Sequence, residues 1–228
     1  MKIITCEQVS AGHPDKICDQ IADAIVTDCL QHDRDSRVAI ECLFKNRNLI
    51  IAGELTSTHE PNYRMLVAEV LDRINNGGSE NKDAGMDYKL DFTVDELDIT
   101  ILVDHQSSDI ALGVNSGGAG DQGMMYGYAT IETPELLPIP FVLATEFLKL
   151  LKAYPSRMLK ADAKAQVSYD YDTGRITTFL CSVQHIRDVE VEDFRPIIEK
   201  LMVRTATAYG LNTDFEKLVN PTGRFVLG

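Results

Sequence analysis

The stretch Val38-Ala39-Ile40-Glu41-Cys42-Leu43-Phe44-Lys45-Asn46-Arg47-Asn48-Leu49-Ile50-Ile51-Ala52-Gly53-Glu54-Leu55 reads as two β-strands around a tight turn. Val38, Ile40, Cys42 and Phe44 alternate with more polar neighbours, the period of a strand with one buried face. A turn centred on Asn46-Arg47 sets Glu41 opposite Ala52 and Glu54 opposite Ala39. The two glutamates then share the less apolar face as diagonal neighbours, roughly 7–8 Å apart. They are either ordinary solvated side chains, common on such faces, or a pair that holds a cation or a substrate ammonium.

Helices flank this hairpin. Ile17, Ala22, Ile21, Ile25, Val26 and Cys29 recur at helical spacing and predict a helix from about 14 to 31. Leu66, Val67, Val70, Leu71 and Ile74 predict a second, opened by Pro61 and closed by Gly77-Gly78. A strand, Leu97–Val103, follows. The same order then recurs: a helix from about 140 to 154, strands Val167–Tyr171 and Ile176–Val183, a helix near 193–208 with Pro196 in its first turn, and a strand Phe225–Leu227. Ile3–Val9 adds a strand at the front. The pattern predicts an α+β fold of pseudo-symmetric repeated modules, each a mixed sheet covered by helices on one face. The repeat is far longer than solenoid periods.

The 228 residues suffice for one large or two ordinary domains. With 44% hydrophobic and 25% charged residues the composition is that of a globular protein. Thirty-five acidic against 22 basic residues leave a net charge of −13, which argues against nucleic-acid or anionic-membrane binding. An anionic substrate stays possible, because local cations override the global sign. Cys6, Cys18, Cys29, Cys42 and Cys181 are odd in number and form no CxxC pair, so reduced thiols and a cytoplasmic location are expected. MKIITCEQV has no apolar secretory core, and the apolar run Leu136–Ala144 is short and broken by Pro138 and Pro140.

The chemistry concentrates in a few strings. In Ser10-Ala11-Gly12-His13-Pro14-Asp15-Lys16, Pro14 suits the first helical position and His13 the N-cap. Free N–H groups and the positive end of the helix dipole favour an anion there. An imidazole and an ammonium suit a polyphosphate, and the adjacent carboxylate suits its magnesium. Asp15 alone would only complement the dipole. Gly118, Gly120 and Gly123 have GxGxxG spacing, but no strand leads directly into them and no helix starts at Met124-Met125-Tyr126, so a dinucleotide fingerprint is rejected. A glycine-rich substrate-covering loop over about 105–128 fits better, with Asp121 and Gln122 at its tip. Gln106-Ser107-Ser108-Asp109 follows a strand end, where ligand contacts gather. Lys164 is placed just before a strand, where it would meet a phosphate or simply be solvated, and Phe225 would be core or stack on a base. No Walker A string, Ser-His-Asp order or zinc spacing is present.

Taken together, GHPDK with its ICDQIADAI helix, GAGDQGMMYGYA, DAKAQV and NPTGRFV, in this order, resemble the S-adenosylmethionine synthetases (methionine adenosyltransferases) from about residue 3 onward. The resemblance implies joining of ATP to methionine. The methionine sulfur attacks the ribose C5′, intact triphosphate leaves, and it is then hydrolysed to pyrophosphate and phosphate, with Mg²⁺ and K⁺ assisting. Each active site would lie between two subunits of a homodimer or larger oligomer. By position, His13 matches the histidine assisting displacement at C5′, and Lys164 a lysine holding the triphosphate. Asp162, Ala163, Arg224 and Phe225 match nucleotide contacts. Asp15 matches a Mg²⁺ ligand and Glu41 the potassium-site glutamate. Glu54 and Gln106 match methionine contacts, with Asp121 nearby.

The chain departs from the family pattern at Ala11, where glutamate is usual, at Ser108, where proline is usual, and in a shorter 106–118 loop. Family members also continue past GRFV into a GDxGLTGRK segment and a third domain. The resemblance implies domains discontinuous in sequence, with residues 1–12 and 129–228 in an N-terminal domain and 13–104 in an incomplete central one. The isolated chain is expected to be inactive until a second chain or a longer protein supplies the rest. The competing reading is a non-catalytic regulatory or interaction subunit of the same fold.

Overall fold

The computed structural model describes residues 2–76, 89–114, 117–119 and 122–227. Two compact units emerge. One holds the described residues within Met1–His13, Arg73–Asp91 and Tyr128–Gly228; the other holds those within Pro14–Asp72 and Phe92–Gly127.

In the second unit, helix α1 (Pro14–His32) precedes the hairpin β2 (Arg37–Lys45) and β3 (Asn48–Thr56). Helix α2 (Tyr63–Asn76), whose residues from Arg73 onward are grouped with the first unit, then leads to β4 (Asp98–Asp104) and a short helix α3 (Ser108–Val114). The sheet order is β2-β3-β4. Hairpin pairing is antiparallel, with Glu41 facing Ala52 and Glu54 facing Ala39, the register expected from the turn. Strand β4 runs parallel to β3, because a helical crossover separates them. Ile17, Ile21, Ile25 and Cys29, one helical turn apart, form the buried stripe of α1. They join Ile40, Leu49 and Ile51 in one core. The α2 stripe Leu66, Val67, Val70, Leu71 and Ile74 is equally buried. Its start is capped by Asn62, whose Oδ1 accepts the Met65 N–H at 3.1 Å. Gly53 is obligatory: its φ is +143°, and a Cβ there would lie 2.0 Å from the Ala39 carbonyl oxygen.

The first unit is built on the order β1-β5-β6-β7, from β1 (Ile3–Val9), β5 (Leu159–Asp170), β6 (Arg175–His185) and β7 (Glu216–Val219). Helices α4 (Ile139–Ala153) and α5 (Val191–Ala208) supply the buried Leu143, Phe147, Leu151, Phe194 and Ile198. Phe147 meets Phe179 of β6 edge-on at 5.1 Å between ring centroids. Antiparallel β5-β6 and parallel β6-β7 repeat the helix–hairpin–helix–strand plan of the other unit. The expected α+β architecture of repeated modules is therefore present. No helix among the described residues is long and apolar enough to cross a membrane.

Several local expectations are corrected. Strand β5 begins at Leu159, so Lys164 lies within it instead of preceding it. The alternation there is of small residues, with Ala161, Ala163 and Ala165 buried between polar neighbours, which weakens the hydrophobic strand signal. Among the described residues the last strand is Glu216–Val219; Phe225–Leu227 is irregular, with the Phe225 carbonyl accepting the His185 N–H and the Phe225 N–H donating to the His185 ring. Helix α5 starts at Val191, with a capping box between Glu190 and Asp193, so Pro196 sits in its second turn. Helix α3 occupies part of the stretch expected to be a loop.

Candidate functional site

In the first unit the turn after β1 is clamped to β5. Ser10 is buried; its Oγ donates to the Ala161 carbonyl at 2.6 Å and accepts the Ala163 N–H at 2.8 Å, while its own N–H reaches the Ala163 carbonyl at 2.8 Å. Gly12 packs so closely that a Cβ would lie 2.5 Å from both the Ala161 Cβ and its carbonyl oxygen. Any side chain at residue 12 would push the turn off the strand. His13, half-buried, closes the turn with its N–H on the Ser10 carbonyl at 3.1 Å, and α1 starts at the next residue. The segment that carries His13 is thereby fixed to the strand that carries Asp162, Ala163 and Lys164.

Strand alternation divides that trio. Ala163 points into the core with no exposed surface, while Asp162, 8% exposed, and Lys164 belong to the other face. Val9 is the register partner of Lys164, and Glu7 that of Gln166. Lys164 Nζ donates to Glu7 Oε1 at 3.1 Å, with both side chains substantially exposed. Such a pair contributes about 0–1 kcal/mol, weak enough for a polyanion to capture the ammonium. Glu7 was not legible as a site residue, because its role depends on the β1–β5 pairing.

Arg224 and Phe225 follow a turn held by Asn220. The Asn220 carboxamide acts as a strand partner for Val183, accepting its N–H at 2.8 Å and donating to its carbonyl at 2.9 Å. Asn220 has φ +42° and is 3% exposed; its carbonyl accepts the Gly223 N–H at 2.8 Å. Phe225 is half-buried, and its N–H donates to His185 Nε2 at 3.0 Å. His185 Nδ1 lies 2.9 Å from the Ile186 carbonyl, so the network assigns the ring proton to Nδ1 and leaves Nε2 as acceptor. Arg224 is exposed, with Nη2 donating to the Arg187 carbonyl at 3.2 Å. Beside it a cleft of about 290 Å³ is lined by Arg195, Lys217, Arg224, Glu190, Glu192 and Asn220.

In the second unit Asp15 is an exposed carboxylate in the first turn of α1. Cys18, one turn on, has its thiol pushed up to about 11, first by burial and then by the Asp15 carboxylate. On the uncovered face of the sheet Glu41 is exposed and Glu54 half-buried. The parallel register adds Asp104 next to Glu54, a third carboxylate on this face. Asp104 was missed because its neighbour follows from the β3–β4 crossover, not from the hairpin. Gln106 follows β4, and its Oε1 is buried without a hydrogen-bond partner. An orphaned buried acceptor costs about 1–3 kcal/mol, which a ligand donor would recover. Asp121 lies outside the described residues.

A family model described as S-adenosylmethionine synthetase, N-terminal domain, matches residues 1–108, and one described as the central domain of the same enzyme matches 116–225. The chain belongs to the S-adenosylmethionine synthetase family. The S-adenosylmethionine synthase of Mesoplasma florum is 40% identical over all of this chain and 61% of its own length. That of Prochlorococcus marinus is 36% identical over 99% of this chain and 61% of its own length. A solved structure described as an unusual S-adenosylmethionine synthetase from Campylobacter jejuni superimposes with a TM-score of 0.81 at 32% identity, over all of this chain and 60% of that one. The chain thus spans about 60% of the length of the S-adenosylmethionine synthases it matches. Within this synthetase fold, the Ser10–Gly12 clamp and the Asn220 turn place the expected nucleotide residues on a single unit.

Proposed function

We propose that the chain contributes to an ATP:methionine S-adenosyltransferase, forming S-adenosylmethionine and releasing triphosphate that is then hydrolysed to pyrophosphate and phosphate. The observation that carries this reading is the clamp of Ser10 and Gly12, which lays the His13 turn on the strand bearing Asp162, Ala163 and Lys164. His13 and Lys164 hold the triphosphate where charge develops as the C5′–O bond breaks, and Arg224 and Phe225 hold the adenosine. Charge stabilisation and alignment dominate such a displacement, because a neutral thioether sulfur needs no base. Asp15 offers an exposed carboxylate oxygen, which suits magnesium, a hard cation that retains several waters. Magnesium supplies charge neutralisation on the leaving triphosphate. Glu41 offers an oxygen ligand for potassium, and Glu54 and Gln106 contact methionine, whose donors satisfy the Gln106 acceptor; Asp121 is the third residue assigned to methionine by the motif. The assembly is a cytoplasmic homo-oligomer with each site shared between subunits.

Calorimetric titration of the 228-residue chain with tripolyphosphate and Mg²⁺ tests the proposal. Lys164→Met removes a charge-assisted contact and should weaken binding roughly 10–100-fold. Binding that is absent, or indifferent to Lys164→Met, refutes the catalytic reading in favour of a non-catalytic subunit. Labelled methionine should not be converted by the chain alone; robust turnover would refute a need for further protein.

A further inference from the structure

We propose that Asp28, His32 and His59 form a binding site for a borderline divalent transition ion of the zinc class, separate from the residues assigned to the transferase. Asp28 and His32 stand one helical turn apart at the end of α1, the spacing that brings two ligands to one helix face. His59 arrives from the loop after β3, and its Nε2 lies 2.7 Å from Asp28 Oδ2. His32 Nδ1 is 3.5 Å from Asp28 Oδ1 and 2.8 Å from the Asp28 carbonyl. One ligand atom from each residue lies within 4.8 Å of the others.

The arrangement is supported from behind. Asp33 Oδ2 accepts the Thr58 N–H at 2.8 Å and the Thr58 hydroxyl at 3.0 Å, tying the His59 loop to the end of α1. Ser57 Oγ accepts the His59 N–H at 3.0 Å and bonds the Ser36 hydroxyl at 2.7 Å. Outer bonds of this kind hold ligands in place before an ion arrives. The Asp28 side chain is 16% exposed and that of His59 24%, whereas His32 is 54% exposed, so the site is anchored on one side and open on the other.

The two imidazoles stack with centroids 3.9 Å apart and planes within 10°. Parallel rings cannot both aim in-plane lone pairs at one ion, so loading rotates the exposed His32 ring out of the stack. Zinc–nitrogen bonds of about 2.0–2.1 Å then draw the donors together. Two imidazoles and one carboxylate suit zinc, cobalt or nickel and disfavour magnesium, which takes oxygen ligands. Solvent completes the coordination, and the ion staples α1 to the loop after β3.

The test is calorimetric titration of Zn²⁺ into the metal-stripped 228-residue chain, with Mg²⁺ in excess and with His32→Ala, His59→Asn and Asp28→Asn variants. One Zn²⁺ per chain should bind despite Mg²⁺, and each variant should weaken it by at least about tenfold, the scale of losing even an outer-shell partner. His32→Ala removes an exposed ring, so its fold is checked by circular dichroism, and Zn²⁺ should raise the melting temperature of the wild-type chain alone. Co²⁺ should give visible bands that the same variants abolish. Absent binding, binding displaced by Mg²⁺, or binding that the variants leave intact overturns the proposal.

Discussion

Removing the carboxamide of Asn220 tests how the Arg224–Phe225 segment is held. In the wild type that group makes two buried hydrogen bonds to the main chain of Val183, at 2.8 and 2.9 Å, inside a site 3% exposed. Asn220→Ala orphans the Val183 N–H and carbonyl, each at about 1–3 kcal/mol before relaxation. Alanine at φ +42° adds about 1 kcal/mol of strain. Relaxation and water entry return part of this, leaving about 3–5 kcal/mol, or roughly 6–20 °C in melting temperature for a chain of this size. Asn220→Gly forfeits the same bonds without the strain and should recover about 1 kcal/mol.

Asn220→Asp separates the two bonds. The carboxylate still accepts from Val183 N–H but faces the Val183 carbonyl with no proton to donate. Burial and that carbonyl raise the folded-state pKa above the unfolded value. The stabilisation is therefore present below the unfolded pKa and lost as pH rises through the folded one. The deficit relative to wild type should be smaller at pH 4 than at pH 8. Urea unfolding at both pH values, followed by circular dichroism and by amide exchange at Val183, measures it. An alanine variant within 1 kcal/mol of wild type, roughly a single ordinary hydrogen bond, would refute the account of Asn220 as the anchor of this turn.

Gly12→Ala should cost about 2–4 kcal/mol in urea unfolding. A Cβ at 2.5 Å must retreat by about 1 Å to ordinary contact and pulls Ser10 from its bonds to β5. Unchanged stability would disprove the clamp. Gly53→Ala should cost at least about 3 kcal/mol, since its Cβ meets the backbone oxygen of Ala39 and its φ is +143°; differential scanning calorimetry reads the loss. Cys18 and Cys42, with thiols raised to about 11 and about 12 mainly by burial, should resist iodoacetamide at pH 8. About a thousandth of Cys18 is thiolate there, and its alkylation should climb about tenfold per pH unit between 8 and 10. Modification at the rate of free cysteine, read by mass spectrometry, would refute that burial.

The strong elements were legible because local chemistry and burial agree in them. The Ile17–Ile21–Ile25–Cys29 stripe and the Val38–Leu55 alternation predicted α1 and the hairpin register, and the repeated element order predicted two similar modules. Where burial relies on small residues, as in Ala161–Ala163–Ala165, hydrophobic patterning is faint and the start of β5 was misplaced. The motif strings likewise named candidate residues for an anionic substrate, and the family follows from their order. Which groups meet was decided elsewhere. Glu7 reaches Lys164 only through the β1–β5 pairing, Asp104 joins Glu54 only through a parallel crossover, and Asn220 finds Val183 across 37 residues. Sequence determines what each side chain can do and which local element it favours, because propensity and periodicity act within a few turns. Partnership between distant groups is set by strand pairing and close approach, which no local pattern encodes.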